Sequence, residues 1–260
     1  MYEQLLQHSQ VAIHKLKPRQ TRYCIMVGVW NEGERITSQI ERMQAIAPLT
    51  DIIIADGGST DGATSLEALT GKVSTLIIDK RRHGLSGQYQ SALAYAMSEG
   101  YEGFIMIDGN GKDGVEAVAH FTAALDNGAD LIQGSRFLPG GRYDNIPFVR
   151  YYGIRYVFNP VLALFCGFHY TDDMNGFKGV SRRLVEHPGV QPFRDIFHYY
   201  SLQYYFNYRP AHLGLKVTEV PVSRVYPKNG QIPTKIHGLK AYYKILRELA
   251  KTCIGYYNPR

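Results

Sequence analysis

The stretch FIMIDGNGKDGVEA, residues 104–117, holds the densest set of groups able to do chemistry. An apolar run at 104–107 stops at Asp108, and Gly109-Asn110-Gly111-Lys112-Asp113-Gly114 follows before a helix-like segment. This spacing admits two readings. G-x-G-x-x-G after a strand is a dinucleotide-binding fingerprint, in which glycines bring a helix N-terminus close to a pyrophosphate. Alternatively, Asp108 and Asn110 are two oxygen ligands at a strand end, placed to hold a divalent cation and a diphosphate.

The surrounding elements bear on the choice. Apolar runs at 23–29, 51–55, 73–78 and 104–107, and a shorter one at 129–133, read as buried strands. Between them, Ile36, Ile40, Met43 and Ile46 mark one helical face, as do Leu85, Tyr89, Ala92, Leu93, Ala96 and Met97. A third helix is expected at 115–125. This alternation predicts a mainly parallel sheet covered by helices on both faces. Beyond residue 134 the regularity fails. Helices are expected at 148–165 (interrupted at Pro160), 195–208 and 236–256, with a strand at 215–222 and a loop at 171–180 leading into another strand.

Ligands of an open α/β sheet bind beyond the carboxyl ends of its strands. Those ends here read Trp30-Asn31-Glu32, Asp56-Gly57-Gly58-Ser59-Thr60-Asp61, Asp108-Gly109-Asn110 and Gly134-Ser135-Arg136. Such an edge can hold a base, a ribose and a metal-bound diphosphate. A dinucleotide fingerprint belongs to the first strand of its domain, whereas these glycines follow the fourth, and the first strand runs into Asn31-Glu32. An EF-hand beginning at Asp108 would need Glu at its twelfth position, which is Ala119. The metal-ligand reading survives. Asp61 and Asp113 read more simply as turn or helix caps.

Composition sets outer limits. A chain of 260 residues suits one large domain, and no run of 18 apolar residues is present. Residues 1–20 are polar and lack the apolar core of a signal peptide. Cys24, Cys166 and Cys253 show no metal-binding spacing and read as reduced residues of a cytoplasmic protein. The net charge of +6 favours anionic partners such as phosphorylated substrates or acidic lipid heads. No nucleic-acid partner is expected. The 20 tyrosines suit core packing, a homo-oligomer interface or membrane headgroups.

Several motifs in order carry a family resemblance over roughly residues 22–236. VGVWNEGERI, IIIADGGSTDG, HGLSGQYQSALAYAM, GADLIQGSRFLPGG, TDDMNGFKGVSR and EVPVSRVYP…PTK resemble the family 2 inverting glycosyltransferases, in the branch of dolichyl-phosphate mannose synthase. The resemblance implies a single GT-A-like α/β domain at 22–236. Its nucleotide-sugar half would be 22–134 and its acceptor half 135–236, with an N-terminal extension at 1–21 and an acceptor-side amphipathic helix at 237–260.

By position, the resemblance implies that Trp30, Glu32, Asp56 and Asp108-Gly109-Asn110 meet the nucleotide sugar. Asp108 and Asn110 would hold Mg²⁺ or Mn²⁺, and Arg136, Arg150, Arg224 and Lys235 would serve the phosphates. Three positions depart from the pattern: Gly28 stands for a proline, Gly57 for a second acidic residue, and Asn110 for the second Asp of D-x-D. The expected reaction moves a sugar from a nucleotide diphosphate to a polyprenyl phosphate, in cell-surface glycan assembly. That acceptor is already an anion and needs no base. A glycan hydroxyl is the alternative acceptor, and Asp172 or Asp173 would then take its proton. A nucleotidyltransferase and a non-catalytic nucleotide-sugar-binding protein are the other readings. A lipid acceptor implies peripheral contact with the cytoplasmic face of a membrane, through Arg150-Tyr151-Tyr152, residues 157–168 and the C-terminal helix.

Overall fold

The computed structural model describes residues 2–81, 83–146, 148–227 and 238–259, with side chains except at 149–150 and 238–242. Ten strands are present among these residues: β1 (Val11–Lys15), β2 (Tyr23–Val29), β3 (Asp51–Asp56), β4 (Thr75–Asp79), β5 (Gly103–Asp108), β6 (Leu131–Ser135), β7 (Arg142–Asp144), β8 (Lys178–Ser181), β9 (Val217–Pro221) and β10 (Ser223–Val225). The α-helices are α1 (Tyr2–Leu6), α2 (Glu34–Met43), α3 (Leu66–Leu69), α4 (Leu85–Ser98), α5 (Val118–Asp126), α6 (Phe148–Gly153), α7 (Asn159–Cys166), α8 (Arg182–Glu186), α9 (Ser201–His212) and α10 (Gly238–Cys253).

Eight strands form one sheet in the order β1-β4-β3-β2-β5-β8-β6-β9. The β4-β3-β2-β5 block is parallel, as the alternating pattern predicts. Alternate residues of β2 feed opposite cores: Cys24 and Met26 pack with α4, α7, α9 and α10, while Ile25 and Val27 pack with α2 and α5. Burial on both faces is why these strands read as continuous apolar runs.

Several details differ from the sequence-based expectation. β8 enters antiparallel between β5 and β6, so the sheet is mixed. Residues 11–15 are not outside the domain, since β1 pairs antiparallel with β4 and closes that edge. Residues 195–200 are not helical, and α9 begins at Ser201. Around Pro160 the chain stays helical: Ile154–Phe158 forms a π-helical segment, and Pro160 then falls in the first turn of α7, where its missing N–H costs nothing.

β7 and β10 make a separate two-stranded parallel ribbon. A β-bridge between Asp113 and Arg224 ties this ribbon to the loop after β5. The ribbon thus delivers Arg224, from the C-terminal part of the chain, to the acidic end of β5.

Candidate active site

The loop after β5 is held from two sides. Gln39, fully buried on α2, donates to the Asp108 carbonyl at 3.0 Å and accepts from Gly111 N–H at 2.8 Å. Arg42, one turn on, donates to the carbonyls of Gly111 and Asp113. Gly109 is glycine because its backbone N–H bonds the Gly28 carbonyl at 2.9 Å, and an added Cβ would lie only 2.9 Å from that oxygen. Gly111 has φ +76°, a conformation open to glycine at little cost. The G-x-G spacing therefore serves a strand-end contact and a turn, and no helix of the dinucleotide type begins there.

Asp108 sits at the mouth of this loop, its side chain 23% exposed. Its Oδ2 accepts from Arg224 Nη2 at 3.1 Å and from Asn110 Nδ2 at 3.2 Å. The same guanidinium forks onto Asp113 through Nη1, at 2.7 and 2.6 Å. Desolvation pushes the Asp108 carboxyl up, but the Arg224 and Lys112 charges outweigh it and hold the group below its ordinary value. Asp113, fully buried and facing Asp108, is raised instead, by desolvation first. Burial pulls the Lys112 ammonium down to about 8, with Arg224 adding to the effect. The cap expected at Asp113 is not what this residue makes; it is the buried anchor of Arg224.

The donor set at Asp108 is thin: one ionised carboxylate and the neutral carboxamide of Asn110, whose Oδ1 accepts from Lys112 N–H at 3.3 Å. Among the described residues, no three His, Cys, Asp or Glu side chains converge on a metal position. Such a set fits a cation that takes most of its ligands from phosphate and water, as Mg²⁺ does.

Asp56, 2% exposed, spends both carboxylate oxygens on its own turn. Oδ1 accepts from Gly58 N–H at 3.1 Å, Ser59 N–H at 2.9 Å and Ser59 Oγ at 2.6 Å, while Oδ2 accepts from Thr64 Oγ1 at 2.8 Å. Asp61 clamps the neighbouring loops by accepting from Gly33 N–H at 2.8 Å. Trp30 is 51% exposed beside this turn, and Glu32 pairs with Arg35 at 2.9 Å.

Beyond β6, Arg136 and Asp172 form a buried fork at 2.7 Å through Nε and again through Nη2. Arg136 N–H adds a third bond to Asp172 at 3.0 Å, and Nη1 reaches Tyr226 Oη at 3.3 Å. Both side chains are committed to each other. Asp173 is 1% exposed, neither carboxylate oxygen has a hydrogen-bond partner, and burial pushes its carboxyl up to about 7. Beneath it, the buried Lys178 ammonium donates to Gln133 Oε1, to Asn207 Oδ1 at 3.0 Å and to the Asp173 carbonyl at 3.4 Å. Its burial lowers it to about 8. Gly176, in the same loop, approaches so closely that a Cβ there would stand 3.1 Å from Asp108 Oδ1.

The structure thus brings Asp108, Gly109, Asn110 and Arg224 together, with Trp30, Glu32 and Asp56 on the adjoining strand ends. Arg136, Asp172 and Asp173 form a second, buried group. Lys235 lies outside the described residues, as does the side chain of Arg150. Sequence reasoning missed Gln39, Arg42 and Lys178. Gln39 breaks an otherwise polar-outside pattern, because it lies on the Ile36/Ile40/Met43 face, and that was its one available signal.

No family model matches the chain. It is 26% identical over 212 residues to the polyprenol monophosphomannose synthase of Mycolicibacterium smegmatis, an alignment covering 80% of this chain and 78% of the relative. It is 24% identical over 216 residues to the undecaprenyl-phosphate mannosyltransferase of Micrococcus luteus, covering 81% and 86%. Among solved structures, the glucosyl-3-phosphoglycerate synthase of Mycobacterium tuberculosis, in complex with Mn²⁺, uridine diphosphate and phosphoglyceric acid, matches with a TM-score of 0.63 at 16% identity, over 91% of this chain and 78% of that one. The chain thus has the fold of these glycosyltransferase structures and is similar in sequence to polyprenyl-phosphate mannosyltransferases.

Proposed function

We propose that this protein transfers a sugar, with inversion, from a nucleoside diphosphate to a polyprenyl phosphate. The observation that carries the choice of acceptor is the state of the two acceptor-side carboxylates. Asp172 is locked to Arg136, and Asp173 is buried with no hydrogen-bond partner on its carboxylate. Neither is presented to solvent as a base, and a phosphate acceptor needs none, being an anion near neutral pH.

The residues divide the work as follows. Trp30, Glu32 and Asp108-Gly109-Asn110 border the donor. A phosphate oxygen of the acceptor forms the new bond to the anomeric carbon from the face opposite the leaving group. The bond from that carbon to the diphosphate oxygen breaks, and the nucleoside diphosphate departs. Arg224 and Lys112, whose charges both act on Asp108, would stabilise the negative charge that grows on the leaving group, as fixed cations in a water-poor site do strongly. Asp108, with Asn110, would hold Mg²⁺ or Mn²⁺, which would supply further charge neutralisation at the diphosphate.

The lipid tail implies peripheral membrane contact. No helix among the described residues is long and apolar enough to cross a membrane. The α6–α7 region instead turns Phe148, Tyr152, Tyr156, Val157, Leu164 and Phe165 outward, with Leu164 82% exposed. Large apolar side chains exposed in one region suit insertion at a headgroup boundary. Arg155 lies over the Tyr151 ring in the same region and adds a cation suited to anionic lipid.

The test is direct. Purified protein with a panel of nucleotide sugars and a polyprenyl phosphate should yield a lipid-linked sugar. Asp108→Ala should abolish it while leaving the thermal unfolding transition in place, and a chelator should mimic the variant. Full activity in EDTA would remove the metal role. Absence of lipid-linked product from every nucleotide sugar would remove the function.

A further inference from the structure

Two of the positions that depart from the family pattern, Gly28 and Gly57, lie side by side on the carboxyl ends of β2 and β3. Gly28 is paired with Ala55, and Gly57 N–H bonds the Val29 carbonyl at 2.9 Å. The space that side chains would fill at both positions is taken by the first turn of α4: Leu85 Cδ1 would stand 2.4 Å from a Cβ on Gly28, and the side-chain amide of Gln88 borders both positions. A Cβ on Gly28 would stand 3.4 Å from Gln88 Oε1, and a Cβ on Gly57 would stand 2.3 Å from Gln88 Nε2. Trp30, at the end of β2, borders the same space, its Cβ 3.7 Å from the Gly57 position.

Gln88 is 7% exposed, and its Oε1 is buried with no hydrogen-bond partner. A buried orphan acceptor costs stability until a donor reaches it. The neighbouring carboxylate, Asp56, for which the resemblance implies contact with the nucleotide sugar, has both oxygens hydrogen-bonded within its own turn. The strand end therefore holds one unsatisfied buried acceptor, next to an amide donor, beside an indole.

Resting on the glycosyltransferase reading above, we propose that Gln88 is the residue that recognises the base of the donor nucleotide. Its amide oxygen accepts an imino N–H while its amide nitrogen donates to the adjacent carbonyl, an edge that uracil and guanine both present. A carboxylate, which only accepts, would read the N–H alone. Gly57 is then a requirement of this arrangement, because any side chain there displaces the amide.

Trp30 is the sole tryptophan, so its fluorescence reports binding without reference to turnover. Uridine, guanosine, adenosine and cytidine diphosphates and ribose 5-diphosphate would be titrated, with Mg²⁺ present, into the wild type and into Gln88→Met. The wild type should bind the uridine or the guanosine diphosphate at least tenfold more tightly than ribose 5-diphosphate and than the adenosine and cytidine compounds. In Gln88→Met that preference should fall tenfold or more, while affinity for ribose 5-diphosphate stays unchanged. If Gln88→Met does not fold, Gln88→Ala, which removes both donor and acceptor, should lose the preference in the same way. Wild-type preference in the variants, or a parallel loss of ribose 5-diphosphate, would overturn the role of Gln88 and leave the function standing. A wild type that binds no nucleoside diphosphate would overturn both.

Discussion

Replacing Asp173 by asparagine should stabilise the protein, and only above mildly acidic pH. The Asp173 carboxyl is buried without a hydrogen bond, and burial moves it from 3.8 up to about 7 despite the attraction of Lys178. Asp172 and Glu219 face it as well and push in the same direction as burial. Because the folded value is raised, the native state keeps a proton that the unfolded chain releases. The contribution of this group to stability is fully present below about 4 and is lost as pH rises through about 7. A shift of roughly three units, at about 1.4 kcal/mol per unit, makes the loss on the order of 4 kcal/mol. The asparagine side chain carries no charge to desolvate, so wild type and variant should melt together at pH 4 and diverge by roughly ten degrees at pH 8. Thermal melts of both proteins across that range measure the difference. Curves that remain parallel at every pH would refute the buried-carboxylate argument. The same variant bears on mechanism: transfer to a polyprenyl phosphate should persist within about tenfold, since removal of a general base would cost about a hundredfold or more.

Three other perturbations follow from the same geometry. Asp172→Ala strands the Arg136 guanidinium in a buried site and should cost about 3–5 kcal/mol, read as a lower urea midpoint. Gly176→Ala places a Cβ 3.1 Å from Asp108 Oδ1 and should lower transfer severalfold while leaving the unfolding transition nearly unmoved; unchanged kinetics would detach that loop from the site. Leu164→Glu combined with Phe148→Glu should weaken co-sedimentation with anionic liposomes at low salt, and a wild type indifferent to such liposomes would exclude the membrane face.

The sequence carried the nucleotide half well, for physical reasons. β2, β3 and β5 are buried on both faces and therefore appear as unbroken apolar runs. α2 and α5 each bury one stripe, and α4, whose residues 86–97 are all buried, still showed an apolar periodicity. Asp108 could be singled out because a charged residue closing an apolar strand has few structural reasons to be there. The edge strands and the chain beyond β6 were harder. β1 is short and only partly buried, so its place on the sheet edge left no periodic trace. The insertion of β8 between β5 and β6 is a choice among non-local pairings that no local pattern encodes. The pairing of Arg136 with Asp172, 36 residues apart, and of Arg224 with Asp113, 111 apart, depends on the same topology. Once those pairs are seen, Asp172 changes from a candidate base into the partner of a buried arginine, and Asp113 from a cap into an anchor. Gln39 and Gln88 carry little signal in the sequence because amides on helix faces ordinarily face solvent; here one braces the Asp108 loop and the other packs against Gly57.

The central claim concerns the acceptor, and nucleotide release tests it most directly. The purified protein would be given its nucleotide sugar alone, with a polyprenyl phosphate, and with a range of saccharides, and the free nucleoside diphosphate would be followed in time. Release should be slow with the donor alone and with saccharides. It should rise at least a hundredfold with the polyprenyl phosphate, in step with a lipid-linked sugar, and persist in Asp173→Asn. Release that ignores the lipid, responds to a saccharide and is lost in Asp172→Asn or Asp173→Asn would contradict the account and make a carboxylate-activated hydroxyl the nucleophile.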